Sequence, residues 1–183
     1  MKKNTRDLIL DSALEVIYKY GFQGSNIDLI LEKAKIKKGS MYHFFKSKKE
    51  LGLAVINEKI RQNLQVKYTT ILDSQTPFDD LFFVLFNAPS TLEYGCPLNK
   101  ISQEMIYIDT EFNKILSDVY QDFESLIQKI LIKSINAGQI SACESDKNAK
   151  LIIATYEGGL MIYHLNKNQK SYEDIIMSLK NSF

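Results

Sequence analysis

Cationic and hydroxyl side chains are concentrated in the segment from Lys37 to His43, where the chain reads KKGSMYH. At 3.6 residues per turn these groups share one face of a short helix, whereas Met41, Phe44 and Phe45 belong to its apolar side. Ammonium, hydroxyl and imidazole donors bind phosphate oxygens and the base edges of the DNA major groove. The pattern predicts a nucleic-acid contact surface made of Lys37, Lys38, Ser40, Tyr42 and His43.

Two further patterns flank this surface and predict the helices that position it. A single apolar stripe at 3-and-4 spacing precedes it, formed by Ile27, Ile30, Leu31 and Ala34. Joined by the link Lys35–Lys37, the two helices form a predicted helix-turn-helix. Ser47 and Glu50 then make a capping box that starts another helix, with Lys48 and Lys49 in its first turn. Because a helix N-terminus already favours anions, two lysines there indicate an external anion such as phosphate.

From Thr5 to about Leu53 the chain resembles the N-terminal DNA-binding domain of the TetR family of transcriptional repressors. The resemblance rests on residues in register across this range: Thr5, Arg6, Ala13, Tyr20, Gly21, Phe22, Ser25, Ile27, Ile30, Ala34, Ile36, Gly39, Tyr42, Phe45, Ser47, Lys48 and Leu51. The family often has Gly where this chain has Lys35, and a left-handed Lys35 would cost about 1 kcal/mol of strain. Relatives also often have His or Tyr where this chain has Phe44, so either His43 takes over that contact or the contact is absent.

The resemblance implies a homodimer that binds a palindromic DNA operator. Base reading is expected mostly from Lys38, Gly39 and Ser40, with Lys37 beside them. Phosphate contacts are expected from Arg6, Ser25, Asn26, Tyr42, His43 and Lys48. Ser25 and Asp28 also fit a capping box, in which case Ser25 and Asn26 would both cap a helix and hold phosphate. Lys2 and Lys3 either extend this basic surface or form a frayed tail.

Composition predicts a soluble globular protein whose charge is unevenly distributed. Hydrophobic residues are 45% and charged residues 25% of the 183 residues, as in ordinary globular proteins. Residues 1–63 hold 13 Lys and Arg against 7 Asp and Glu, a balance of +6, whereas residues 64–183 hold 10 against 15, a balance of −5. Such a split indicates one anion-binding end. No long apolar run or signal segment is present, so a cytoplasmic protein without membrane association is expected.

Catalysis and metal binding have little support in the sequence. Two cysteines, Cys96 and Cys143, and two histidines are too few for a disulfide scaffold or a zinc site. No nucleophile elbow, phosphate loop, HExxH motif or paired-Cys spacing occurs. We therefore expect no enzyme activity, no metal and no cofactor.

The remaining patterns predict an all-α fold without strands or internal repeats. Residues 1–47 are expected to form a three-helix helix-turn-helix domain, and residues 48–183 a helical ligand-binding and dimerisation domain, with the helix from Lys48 to about Leu72 bridging the two. The other helices are expected at Thr5–Tyr20 (ended by Gly21), Pro77 to about Phe86 (buried nearly all round and broken by Asn87–Ser90), Pro97–Asp109, Thr110–Gly138 (capped by Thr110), Ser145–Asn166, and from Ser171 (boxed by Asp174) onward.

The C-terminal region is rich in aromatic residues, which favours a small, largely apolar effector as ligand. The candidate ligand-binding residues are Phe82, Phe86, Tyr94, Cys96, Gln103, Glu104, Tyr107, Phe123, Tyr156 and His164. Core packing is the default interpretation of each of them. Cys96, at the start of a predicted helix, is either a redox sensor or a small buried hydrophobic residue.

Two adjacent glycines, Gly158 and Gly159, interrupt a predicted helix at a cost of roughly 1 kcal/mol each. Close approach of helices would explain them, and we expect the last two helices to pair with those of a second subunit. The expected interface residues are Ile153, Gly158, Gly159, Tyr163, Ile175 and Leu179. Together the patterns predict a ligand-responsive repressor that releases its operator when an effector binds. The alternative is a small-molecule binding or interaction module that no longer reads DNA.

Overall fold

The computed structural model describes residues 4–183, and within that range all regular structure is helical. In chain order the helices are α1 (Thr5–Gly24), α2 (Ile27–Ala34), α3 (Lys38–Phe44), α4 (Lys48–Val55), a π-turn (Ile56–Ile60), α5 (Arg61–Leu72), α6 (Pro77–Phe86), α7 (Ala88–Thr91), α8 (Pro97–Met105), α9 (Thr110–Asn136), α10 (Ser145–Asn166) and α11 (Gln169–Lys180). The predicted all-α class is confirmed. None of the helices in residues 4–183 has the length and apolar character needed to cross a membrane.

The chain divides into two compact units. The first contains the chain up to Asn63 together with Pro97–Val119, and the second contains Leu64–Cys96 and Tyr120–Phe183. The helix-turn-helix therefore shares its unit with α8 and the beginning of α9.

In the first unit, the core forms where the apolar stripes of α1 and α2 meet α3 and α4. Met41 of α3 is completely buried, and Phe45, directly after α3, is buried as well. Phe44 is only half-buried. The apolar side of the helix-turn-helix thus agrees with the spacing at Met41 and Phe45 and only partly at Phe44, and the opposite face of α3 is left to solvent. The other buried apolar side chains of α1, α2 and α4 are Ile9, Leu10, Ala13, Val16, Ile17, Phe22, Ile30, Leu31, Leu51 and Val55.

The connection from α1 to α2 differs from the predicted one. Gly21 has φ +79°, a left-handed value suited to glycine, but it kinks α1, which continues to Gly24. Asn26 rather than Ser25 caps α2, since its Oδ1 accepts a hydrogen bond of 2.7 Å from the Leu29 amide. The Ser25 hydroxyl instead donates to the Phe22 carbonyl at 2.8 Å. The predicted capping box at Ser25 is therefore wrong.

The turn between α2 and α3 contains the residue that departs from the family pattern. Lys35 adopts φ 56° and ψ 42°, the left-handed region, and its amide donates to the carbonyls of Leu31 and Glu32 at the end of α2. A side chain in this conformation costs about 1 kcal/mol relative to glycine. The left-handed conformation considered for Lys35 is therefore the one it adopts.

The long helical run from Lys48 to Leu72 begins with the predicted cap. Ser47 Oγ accepts from the Glu50 amide at 3.0 Å, and the Glu50 carboxylate accepts from the Lys46 amide at 2.8 Å. The run widens into the π-turn between α4 and α5, a feature that usually marks an extra residue in the helix. Arg6 forms two hydrogen bonds to Glu58 in this turn, at 2.5 and 2.6 Å, and Lys59 pairs with Asp11 at 2.8 Å.

In the second unit, the core contains one side of α6 and parts of α9, α10 and α11. Phe82 and Leu85 of α6 are completely buried, but Phe83 is 68% exposed. The expectation that this helix is buried nearly all round is therefore wrong, because one of its faces meets solvent. The buried hydroxyl of Tyr172 in α11 donates to the Leu85 carbonyl at 2.6 Å. This hydrogen bond joins the last helix to α6 in the interior of the unit.

Several helix boundaries also differ from those predicted. Helix α8 ends at Met105 instead of Asp109, and α9 ends at Asn136. Asp109, not Thr110, caps α9 by accepting from the amides of Glu111 and Phe112 at 2.9 and 3.3 Å. Helix α11 begins earlier than expected, because Asn168 accepts from the Ser171 amide at 3.0 Å. Helix α6 does end at Phe86, but the short helix α7 follows where only a break was expected.

Candidate nucleic-acid interface

The exposed face of α3 is a continuous polar surface. Lys37, Lys38, Gly39, Ser40 and His43 are exposed, and Tyr42 is 41% exposed. Gly39 has no atom within 4 Å of the position that a Cβ would take, so nothing in this chain explains its lack of a side chain. The structure thus brings the predicted base-reading residues and two of the predicted phosphate donors together on one side of a helix anchored by Met41.

The two candidates at the start of α2 have different environments. Asn26 is exposed and uses its side-chain oxygen to cap α2, which leaves its side-chain amide free in principle to donate. Ser25 is only 3% exposed, and its hydroxyl already donates to the Phe22 carbonyl. The interpretation of the Ser25 side chain as a phosphate donor is corrected accordingly, because a buried, satisfied hydroxyl is poorly placed to meet an external anion.

The two lysines in the first turn of α4 also differ. Lys49 Nζ lies 2.7 Å from Asp109 and 2.6 Å from Glu111, and these carboxylates raise the pKa of the lysine. The argument that both lysines require an external anion is therefore wrong for Lys49. Lys48 Nζ lies 4.7 Å from the centre of the Phe22 ring and 3.4 Å from the Gln23 carbonyl oxygen. Partial burial lowers the pKa of Lys48, and Glu104 opposes that shift.

Arg6 is held by the protein itself. Its guanidinium binds Glu58 through both terminal nitrogens and lies 5.1 Å from the centre of the Phe45 ring. The hydrogen bonds to Glu58 raise the pKa of Arg6 and lower that of the carboxyl. A phosphate contact by Arg6 would have to share or replace this pairing. Lys2 and Lys3 lie outside the described residues.

Two exposed lysines near α3 were not among the sequence candidates. Lys35 lies in the turn before α3 and Lys46 lies just after it, and both side chains are exposed. The sequence indicates them by its high density of lysine from Lys35 to Lys49. This signal is missed when only one face of one helix is considered. They extend the positive surface on both flanks of α3.

The second unit contains a buried group of polar and ionisable side chains. Tyr68, Cys96, Tyr156 and Glu157 are all less than a tenth exposed. Burial raises the pKa of Tyr68 and of Tyr156, and Cys96 and Glu157 add to both shifts. Burial lowers the pKa of the neighbouring Lys67, and Cys96 opposes that shift. These interactions make Cys96 part of a buried polar cluster, of which the sequence singled out only Cys96 and Tyr156.

The other ligand-binding candidates are divided between the two units. Phe82 and Phe123 are core side chains, Phe86 and Tyr94 are half-buried, and His164 lies beside Gly95, all in the second unit. Gln103, Glu104 and Tyr107 belong to the first unit. Tyr107 is 93% exposed, so the expectation that it lines an apolar pocket is corrected: its turn leaves the ring in solvent.

The two glycines of α10 have separate roles. A Cβ on Gly159 would lie 3.3 Å from the ring of Tyr172 and 3.6 Å from Ile175, so this glycine allows close packing against α11 of the same chain. A Cβ on Gly158 would meet no atom within 4 Å. Ile153 and Leu179 are 6% exposed and also pack within their own unit, and Tyr163 is half-buried beside Tyr172.

An apolar stripe on α10 remains open to solvent. Leu151 is 47%, Ile162 37% and Leu165 79% exposed, and together with Thr155 and Gly158 they follow the 3-and-4 spacing of one helix face. An open groove of about 630 Å³ runs beside this face and includes Thr155, Ser171, Ile175 and Leu179. Sequence reasoning found Gly158 and Ile175 but missed the three large side chains of the stripe.

A helix-turn-helix with an exposed basic recognition helix, followed by a helical C-terminal region, defines a DNA-binding transcriptional regulator of the helix-turn-helix class. Residues 9–55 match the model of the bacterial regulatory proteins of the tetR family, and residues 82–179 match the tetracyclin repressor-like C-terminal domain. The chain belongs to the TetR family of transcriptional regulators.

Individual relatives agree with this assignment. An uncharacterized HTH-type transcriptional regulator in the lacX 3' region of Lactococcus lactis is 29% identical over 99% of this chain and 94% of its own length. The crystal structure of reduced NemR from Escherichia coli has a TM-score of 0.87 at 19% identity, covering 98% of this chain and 96% of that one. FadR from Bacillus subtilis in complex with stearoyl-CoA has a TM-score of 0.72 at 20% identity, covering 96% and 95%.

Proposed function

We propose that this regulator is a ligand-responsive repressor that binds a palindromic DNA operator as a homodimer. The observation that carries the proposal is the exposed face of α3, with its hydroxyl and ammonium groups outward and Met41 fully buried behind them. Such a helix fits the major groove, and a two-fold dimer presents two of them to two half-sites. In this proposal residues 1–47 bind DNA and residues 48–183 bind the effector and dimerise.

The contacts divide into two kinds. Lys38, Gly39 and Ser40 at the start of α3 read base edges, and Gly39 lets the backbone approach the bases closely. Lys37, Tyr42, His43, Lys48 and Asn26 contact phosphates and set the position of α3 without reading sequence. The half-buried position of Lys48 supports its role, because an ammonium that has already lost part of its hydration loses less on meeting a phosphate.

The dimer is proposed to form through the apolar stripe of α10 and the groove beside α11. Large exposed side chains in a row, with an open glycine between them, are typical of a surface that meets another helix. A palindromic operator requires a two-fold symmetric dimer, so the stripe is proposed to pack against the same stripe of a second copy. The proposed interface residues are therefore Leu151, Thr155, Gly158, Ile162, Leu165 and Ile175. Gly159, Ile153 and Leu179 pack beneath this surface within the same subunit.

The phosphate role of Lys48 is tested by the variant Lys48→Ala. We expect weaker binding to every duplex and a salt slope that is smaller by about 0.9 per subunit, the value for one lost phosphate contact. Fluorescence anisotropy would measure this with a duplex from the promoter next to the protein's own gene, titrated at several salt concentrations. Lys114→Ala is the matched control, since Lys114 is an exposed lysine of the same unit paired with Asp118.

An unchanged slope in Lys48→Ala would remove Lys48 from the phosphate contacts. Absence of binding by the unmodified protein, both to the promoter duplex and to unrelated duplexes at low salt, would contradict the repressor proposal. That outcome would favour the alternative of a ligand-binding or interaction module that no longer reads DNA.

The effector is proposed to be a small, mostly apolar molecule bound in the second unit, where the centre of the Phe123 ring lies 4.9 Å from that of Tyr68 in the buried polar cluster. The relative solved with stearoyl-CoA supports an apolar class. For effector binding to release DNA, the effector must favour the low-affinity conformation by a few kcal/mol.

A second candidate signal is oxidation of Cys96, which lies just before the start of α8 and interacts electrostatically with Lys67. Hydrogen peroxide would convert the thiolate to a sulfenic acid with release of hydroxide. We expect this treatment to weaken promoter binding roughly 10-fold in the unmodified protein and in Cys143→Ser, but not in Cys96→Ser. Equal loss of binding in Cys96→Ser and in the unmodified protein would refute the redox signal.

A further inference from the structure

Helix α8 is attached to the end of α1 at two points within the first unit. The first point is Lys100, whose ammonium donates to the carbonyls of Tyr18 and Lys19 at 3.0 and 3.1 Å. These carbonyls lie just before the kink at Gly21, where the backbone leaves the helical conformation. Carbonyls near a helix end lack helical partners, and a lysine there also interacts favourably with the helix dipole.

The second point is Glu104, one turn further along α8. Its Oε2 accepts a hydrogen bond of 2.7 Å from the Gln23 amide. Its Oε1 occupies the space in which a Cβ on Gly21 would lie, so the carboxylate fits only because residue 21 is glycine. The pair Lys100 and Glu104, called here the α8 clamp, therefore satisfies carbonyls on one side of the kink and an amide on the other.

The α8 clamp is linked to the proposed phosphate contact Lys48. The backbone of Gln23 is shared: its amide donates to Glu104, and its carbonyl accepts from Lys48 Nζ at 3.4 Å. Glu104 also acts on Lys48 electrostatically, favouring the charged ammonium. A movement of α8 would thus change both the carbonyl and the carboxylate that hold Lys48 at the start of α4.

We propose that Lys100 and Glu104 are positioning residues for DNA binding, which hold the α1–α2 connection and Lys48 in the geometry that an operator requires. The inference rests on the proposed function and adds its regulation: operator affinity follows the position of α8. Helix α8 begins one residue after Cys96, so chain continuity links the clamp to the buried polar cluster in which a signal is proposed to arise.

The test compares conservative and disruptive changes in the full-length protein. Glu104→Ala and Lys100→Met are expected to weaken promoter binding roughly 5- to 50-fold, because each removes a charge-assisted hydrogen bond that orders the DNA-contacting backbone. Glu104→Gln and Lys100→Arg retain an acceptor and a donor, and are expected to bind within about 3-fold of the unmodified protein. Lys114→Ala, an exposed lysine of the same unit paired with Asp118, is the matched control and should have no effect.

Three readouts separate positioning from general stability. The salt slope should fall in Glu104→Ala, by up to the roughly 0.9 per subunit expected for Lys48→Ala, since a displaced Lys48 loses its phosphate contact. In a protein that already carries Lys48→Ala, Glu104→Ala should reduce promoter affinity by a factor at least about 3 times smaller than it does alone. The reason is that the two residues act through one contact. Amide hydrogen exchange in residues 21–26 should accelerate in Glu104→Ala and not in Lys114→Ala, even when no DNA is present.

The outcomes are distinct. Faster exchange with unchanged promoter affinity, or fully additive effects of Glu104→Ala and Lys48→Ala, would overturn the proposal while leaving the repressor function intact. Failure of the unmodified protein to bind any duplex would overturn the repressor function and the clamp's role together. Glu104→Ala could lower the unfolding midpoint of the whole protein and so weaken binding indirectly. In that case Glu104→Gln and Lys100→Arg still test the proposal, since loss of promoter binding by these variants in their folded state would contradict the expected near-normal affinity.

Discussion

Replacing Gly52 with alanine is expected to destabilise the protein by about 2–3 kcal/mol. Gly52 lies inside α4, where a Cβ would overlap the edge of the Phe22 ring and lie 3.0 Å from Cζ of Phe112. Both rings are buried, at 6% and 1% exposure, and their centres are only 4.7 Å apart. Neither ring has room to withdraw, so the added methyl group must displace α4 or force a strained rotamer.

Urea unfolding followed by circular dichroism would measure this effect. Gly39→Ala is the matched control, because Gly39 is also helical but has no atom within 4 Å of the added methyl group. Alanine there should leave stability unchanged or raise it by roughly 0.5–1 kcal/mol. A Gly52→Ala variant as stable as the Gly39→Ala variant would show that the packing of α4 on Phe22 is looser than described.

Substituting Ile162 with glutamate is expected to abolish the proposed dimer. Ile162 lies between Gly158 and Leu165 in the exposed α10 stripe, where two-fold pairing would bury two unpaired carboxylates in the interface. The variant should sediment as a monomer at micromolar concentration. Operator affinity should fall by at least roughly 100-fold, because a monomer engages one half-site without the second tethered beside it.

Sedimentation velocity, together with anisotropy on the promoter duplex, tests this expectation. Ile132→Glu serves as the control, since Ile132 is 44% exposed on α9 and lies outside the stripe. It should remain dimeric and bind DNA normally. A dimeric Ile162→Glu variant would place the interface elsewhere on the molecule.

Features set by local periodicity were predictable from the sequence. The bounds of α10 agree with prediction at both ends, and α2 and α3 have their apolar sides where the spacing places them. The caps were less predictable because adjacent residues compete. Asn26, Asp109 and Asn168 displaced Ser25, Thr110 and Ser171, and each choice depends on a single hydrogen bond that pattern reading cannot rank.

The candidate sites, too, were predictable where they depend on local periodicity and not where they depend on tertiary contacts. The α3 surface belongs to one short helix, so its composition already indicates its chemistry. Glu104 was assigned to a ligand pocket, yet its carboxylate bonds to an amide 81 positions earlier in the chain. Nothing in the periodicity of either helix indicates that pairing, because it depends on tertiary packing and on the space left by Gly21. The sequence does not indicate the π-turn either, since its residues have ordinary helix propensities.

The charged pairs at the π-turn fix the axial position of α1 relative to the long helical run from Lys48 to Leu72. Arg6 meets Glu58 and Asp11 meets Lys59, so polarity reverses from one pair to the next. A slide of α1 in one direction would bring Arg6 towards Lys59, and a slide in the other would bring Asp11 towards Glu58, so either one would replace an attraction with a repulsion. The arrangement tolerates tightening or loosening of the bundle but penalises slippage along the helix axis. Motions of α1 in this unit are accordingly expected to be pivots rather than translations.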